Sequence, residues 1–241
     1  MAKDVSRLPK RLNPDPVRDA IVEIRFKHHL PFEIYLGQMY GILRNLGFEY
    51  QHAGPEVVPA DLVVLKSGKF LHQGSEIALT VRPGSLGFNV VGAYPGWEIY
   101  FGLVKNTLMK VHQVGVFTSF ERVGVRFISE MEGTNILSNL KMGFPQFPLD
   151  EHMQENSKLY RIELLEPPLR IMLNLTEGRQ GSKEKVHSSI ADVDVIRPDM
   201  HTNDVNEILR AIEQNHQREK EIFFHLLKED FLASLNPEYE S

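Results

Sequence analysis

Two stretches of this chain, VRDAIVEIRF at residues 17–26 and ERVGVRFISE at 121–130, alternate apolar and polar side chains, and that period of two is the strongest constraint on its fold. Side chains alternate across a strand, so Ala20, Val22, Ile24 and Phe26 share one face while Ile21, Glu23 and Arg25 share the other. In the second stretch Arg122, Gly124 and Arg126 point one way and Val123, Val125 and Phe127 the other. Two arginines on one strand face need partners, and much of the reading below concerns what those partners are.

Helical spacing fills the intervals. Pro31 is placed to start a helix in which Leu36, Met39, Tyr40 and Leu43 recur at helical spacing, with Gly47 as its stop. PGWEIYFGLVKNTLMKVHQV sets Trp97, Phe101, Val104 and Leu108 on one side of a second helix. Between the two lie short strands, including a hairpin turned by RPGS. Past residue 130 the expected order is a short helix at NILSNLKMGF, paired strands SKLYRIELLEP and PLRIMLNLTEG, a mobile loop over 178–187, and a strand at SSIADVDVIRP. A final helix of about 25 residues, broken near Lys228, completes it.

Two rounds of strand, helix, strands and helix imply an α+β fold: an antiparallel or mixed sheet covered mainly on one side by helices, with a duplicated ferredoxin-like arrangement open on element order alone. The expected organisation is a leader over 1–15, a first half over 16–130 and a second over 131–241, together forming one compact unit.

Composition removes several chemistries. The chain of 241 residues has no Cys, which excludes disulfides, a thiolate nucleophile and cysteine-bound metal, and fits a cytoplasmic protein. The net charge of -5 argues against broad contact with nucleic acid. MAKDVSRLPKRLNPDP has no apolar core segment of a secretory signal, and no apolar run is long enough to span a membrane. HExxH, HxH and EF-hand patterns are absent, as are G-x-S-x-G, G-x-G-x-x-G and the P-loop. No cofactor is indicated.

Four segments resemble an uncharacterised, sporadically distributed bacterial and archaeal protein family with an Arg-Val-Gly-Val-Arg-like strand. They are PVRDAIVEIRF through Pro16, Asp19, Ala20, Glu23 and Phe26; YPGWEIYFGLVKNTL through Tyr94, Trp97 and Phe101; ERVGVRFI through Arg122, Gly124 and Arg126; and IADVDV with the terminal pattern carrying Phe224 and Leu227. The chain departs from that pattern at Phe127, where the family is expected to have tyrosine. The resemblance implies a fold and no agreed biochemical role.

Candidate sites follow from charge placement. Arg122, Arg126 and Glu23 form a candidate anion site or charge network, because a guanidinium fork takes a carboxylate bidentately. In the last helix Asn215, His216 and Glu219 interrupt the stripe built by Ile208, Ile212, Phe223 and Leu226, and the two arginines are the expected partners of Glu219. Asp192, Asp194 and His216 form a candidate metal set by ligand type. Two functions remain. One is a non-catalytic protein-binding component of a multi-protein system; the alternative is an enzyme or ligand sensor with an arginine/carboxylate anion or metal site. The expected partner is another protein, with a small anionic ligand as the alternative.

Overall fold

The structure is a computed structural model that describes residues 8–51, 56–58, 63–144, 156–180 and 186–239. In chain order the strands are β1 (Val17–His28), β2 (Phe48–Gln51), β3 (Glu56–Val58), β4 (Val63–Leu65), β5 (Gly68–His72), β6 (Ile77–Arg82), β7 (Ser85–Val90), β8 (Phe117–Glu132), β9 (Ser157–Glu166), β10 (Leu169–Gln180) and β11 (Val186–Arg197). The helices are α1 (Phe32–Asn45), α2 (Trp97–His112), α3 (Val205–Leu226) and α4 (Glu229–Ser234). Nine strands form one antiparallel sheet in the order β2-β5-β6-β7-β1-β8-β11-β10-β9, and β3 and β4 pair separately. The chain is therefore an α+β protein.

The centre of the sheet is the ladder between β1 and β8. Val22 faces Val125 across it, Ile24 faces Val123, Glu23 faces Gly124 and Arg25 faces Arg122. The alternation in both strands is the cause: Ala20, Val22, Ile24 and Phe26 of β1 and Val123, Val125 and Phe127 of β8 are buried, while Glu23, Arg122 and Arg126 are only partly so and Arg25 is exposed. The buried apolar side chains of β1 and those of β8 up to Phe127 join one cluster with Tyr35, Met39 and Leu43 of α1, Tyr100, Val104 and Leu108 of α2, and Ile208 and Ile212 of α3. A second cluster holds Leu173, Leu175, Val193 and Val195 of β10 and β11 with Phe223 and Phe224 at the far end of α3. α3 thus bridges two cores.

Polar ends of core aromatics fix the helices against the sheet. Tyr100 donates its hydroxyl proton to the Phe88 carbonyl at 2.9 Å inside the core. Tyr35 donates to the Arg82 carbonyl at 2.9 Å, and its oxygen accepts from the Gly84 N–H at 3.3 Å, holding α1 against the β6–β7 turn. Gly84 has φ +76°, the left-handed conformation that the RPGS turn requires.

Several expectations change. The helix expected at NILSNLKMGF is only a 3-10 turn over Leu137–Asn139. The loop expected over 178–187 is shorter, since Gly178, Arg179 and Gln180 pair with Ser188, His187 and Val186; residues 181–185 lie outside the described residues. In α1, Tyr35 rather than Tyr40 turns inward. Of the leader, residues 8–15 pack on the C-terminal segment: Leu12 is buried and Lys10 N–H donates to the Glu238 carbonyl at 2.6 Å. The last helix does break at Leu227 and Lys228 before α4.

Because Ile24 is fully buried on the central strand, Ile24→Ala should lower unfolding free energy by about 2–5 kcal/mol in urea titrations, whereas Lys27→Ala, on the exposed side of the same strand, should change it by less than about 0.5 kcal/mol.

Candidate functional site

The polar face of the central strands carries the densest set of interacting charges. Arg25 and Arg122 lie directly opposite each other, a repulsive arrangement that Glu23 resolves. Its Oε1 accepts from Arg25 Nε and from Arg122 Nη1, both at 2.9 Å. On the other side of Gly124, Arg126 lies opposite Asp194. Its fork nevertheless closes on Asp192, with Nε to Oδ1 at 2.7 Å and Nη2 to Oδ2 at 2.8 Å. Asn174 on β10, in register with Asp192, donates to the same Oδ2 at 2.9 Å.

Asp192 therefore accepts three hydrogen bonds and Asp194 accepts none from the described residues. Asp194 and Arg122 both lean over the bare backbone of Gly124: a Cβ there would sit 3.8 Å from Asp194 Oδ1 and 3.8 Å from Arg122 Nη2. Desolvation raises the Asp194 carboxyl to about 6, although Arg122 and Arg126 pull in the opposite direction. Asn174 was not singled out in the sequence. The signal was present, since LRIMLN alternates and sets Arg170, Met172 and Asn174 on one face.

His216 and Glu219 do not join this network. They stand on α3, which packs against the apolar side of β8, where Phe127 rather than Arg126 points. His216 stacks on Trp97 with ring centroids 3.7 Å apart, and its ring lies 5.1 Å from that of Phe127. The expected arginine partners of Glu219 are on the opposite face of the sheet. For the same reason the proposed metal set fails: Asp192 and Asp194 point away from His216. Among the described residues no three His, Asp or Glu side chains are grouped to hold a metal ion.

What satisfies the polar turn is local. Asn215 donates from Nδ2 to the Val123 carbonyl at 3.3 Å and to the Val195 carbonyl at 3.2 Å, tying α3 to two adjacent strands. Its Oδ1 and the His216 Nδ1 are buried without hydrogen-bond partners among the described residues. Glu219 is 5% exposed. Burial pushes its carboxyl up to about 8 against the pull of Lys220, and pushes His216 down to about 3 with Lys220 acting in the same direction. Their 3.8 Å separation is too long for a hydrogen bond. Since burial favours the neutral form of each, the contact at neutral pH is between a carboxylic acid and an uncharged imidazole. Burial holds the Tyr94 phenol in its protonated form, with Asp15 and then Glu219 adding smaller contributions once ionised.

Stability should depend on pH in a direction opposite to the usual carboxylate. The folded chain keeps a proton on Glu219 that the unfolded chain releases above its ordinary value of 4.5, so this group costs stability progressively as pH rises from about 4.5 to 8. His216 acts the other way, costing stability as pH falls from 6.5 towards 3. Glu219→Gln should therefore be more stable than the parent at pH 9, by on the order of a few kcal/mol, and close to it at pH 4. Thermal or urea unfolding across that range measures the difference.

Comparison of the chain with protein-family models and with curated proteins finds no match.

Proposed function

We propose that this chain is a non-catalytic, protein-binding component of a multi-protein bacterial or archaeal system, a member of the sporadic family its four segments resemble, and that it docks its partner on the polar face of the sheet. In this reading α1, α2 and α3 cover one face, and the two rounds of elements are a duplicated ferredoxin-like arrangement with β1 and β8 as equivalent first strands. The element order supports it, since β1 pairs with the last strand of the meander β5-β6-β7, as β8 does with that of β9-β10-β11.

The observation that carries the docking proposal is Asp194. It is a carboxylate beside two guanidinium groups, on the face away from the helices, with no donor from the described residues. A partner presenting a lysine, an arginine or a backbone N–H would complete it, while Glu23, Arg25 and Arg122 offer both signs of charge around that point. An already formed ion-pair lattice gives such a contact specificity at low reorganisation cost.

A second reading, an enzyme or ligand sensor, is favoured by the buried pair Glu219 and His216. A carboxyl held protonated at neutral pH next to a neutral imidazole is the type of pairing used in acid–base chemistry.

Asp194→Asn separates docking from stability. It removes a charge that the fold disfavours, so it should raise stability above pH 6, while weakening partner binding at least about tenfold through loss of the negative charge and replacement of one acceptor oxygen by a donor. The measurement is native mass spectrometry and quantitative co-purification of the full chain from its source cells, parent against variant. A stoichiometric protein retained equally by Asp194→Asn would overturn docking at this point. A bound small molecule in place of a protein would favour the second reading.

A further inference from the structure

We infer that the free edge of β9 is a self-association surface, through which two copies of this chain pair antiparallel about a two-fold axis at Ile162 to make one continuous sheet. The proposal is independent of the partner docked on the polar face.

Among the described residues β9 pairs only with β10, so its outer edge presents a row of backbone donors and acceptors over ten residues. An edge of that length is a template for another strand. The sheet's opposite edge, β2, has only four residues. The exposed apolar side chains of β9 are out of proportion for a solvated strand: Leu159 is 68% exposed, Leu164 46% and Leu165 72%.

The sequence of β9, SKLYRIELLE, is complementary to its own reverse. With Ile162 opposite Ile162 of the second copy, Arg161 meets Glu163, Tyr160 meets Leu164, Leu159 meets Leu165 and Lys158 meets Glu166. Each position thus finds an opposite charge or an apolar side chain, and the polar faces of the two sheets stay on the same side because residues of equal parity pair. The neighbouring registers that keep the faces matched do worse. A shift by two residues one way sets Arg161 against Arg161, and by two the other way Glu163 against Glu163. Charges on an edge strand ordinarily discourage pairing; here their signs select a single register.

Existing contacts leave Arg161 and Glu163 open to a second copy. Among the described residues Arg161 finds no carboxylate, its guanidinium lying 3.9 Å from the Met172 sulfur. Glu163 meets Arg170 at 3.2 Å with both side chains about half exposed, an ion pair of little weight. Glu166 is held by Arg218 of α3 at 2.6 Å, which fixes it on the helix side beside the position Lys158 of the second copy would take.

The full chain should sediment at twice its own mass at tens of micromolar. Arg161→Glu places two symmetry-related pairs of like charges in the seam and should weaken the dimer at least about tenfold. Combining it with Glu163→Arg restores opposite charges and should restore the dimer. Register is tested by a single thiol, which the Cys-free chain makes unambiguous. Ile162→Cys should cross-link on oxidation, since directly opposed residues approach within about 4.5–5.5 Å. Leu164→Cys should not, its symmetry mate being about 13 Å away along the strands. A chain that stays monomeric to about 100 µM, a dimer indifferent to Arg161→Glu, or a dimer that the double variant fails to restore would overturn the proposal.

Discussion

Everything in this fold is arranged around the antiparallel ladder of β1 and β8. Among the described strands it is the one seam joining β2-β5-β6-β7-β1 to β8-β11-β10-β9. Its register decides the chemistry of both faces at once. With Val22 on Val125 and Ile24 on Val123, the apolar set of both strands enters one core, and Glu23, Arg25, Arg122 and Arg126 are left together on the reverse. A slip of one residue would invert one strand against the other, driving either Arg122 and Arg126 or Glu23 and Arg25 into the core at a cost far above that of losing any single contact. The ion pairs on the polar side are therefore a consequence of the register more than its cause.

The polar turn of α3 has a comparable explanation. Ile208, Leu209 and Ile212 belong to the core formed with β1, α1 and α2, whereas Phe223 and Phe224 belong to the core over β10 and β11. Asn215, His216 and Glu219 fall where one ends and the other begins. At that boundary two unoccupied strand carbonyl directions are met by a single amide, and Trp97 supplies a flat surface for the imidazole. The carboxyl of Glu219 has no comparable provision. It is tolerated by remaining protonated, since keeping the neutral acid avoids the desolvation of a charge.

Much of this was legible in sequence, and the part that was not is instructive. Alternation located the long strands and assigned Arg122, Arg126, Asp192 and Asp194 to one side of theirs. Helical periodicity identified Asn215, His216 and Glu219 as a polar interruption of the apolar stripe. The error was to join the two sets. A helix with an apolar stripe packs on the apolar face, here that of Val123, Val125 and Phe127, and residues alternating with those must point away from it. The same pattern that suggested the arginines as partners thus rules them out. Other differences have different causes: Gly178, Arg179 and Gln180 lack apolar alternation yet extend a hairpin already in register, and NILSNL buries Leu137 and Leu140 in a turn too short for an α-helix.

Asp15, Asp19, Asp194 and Glu219 are all held above their ordinary range mainly by desolvation, most strongly Asp194 and Glu219, and each of these two costs stability at a pH where it would otherwise ionise. Groups that cost stability without an evident structural return are the ones expected where a fold serves a function. They differ in what can reach them. Glu219 lies under α3 between two cores, next to a stacked Trp97 and His216, so a ligand would have to part the helix from the sheet. Asp194 stands on the face away from α3, flanked by the guanidinium groups of Arg122 and Arg126 and by Gly124, and is reached without parting α3 from the sheet. Access, more than the size of the perturbation, makes the polar face the stronger candidate for recognition.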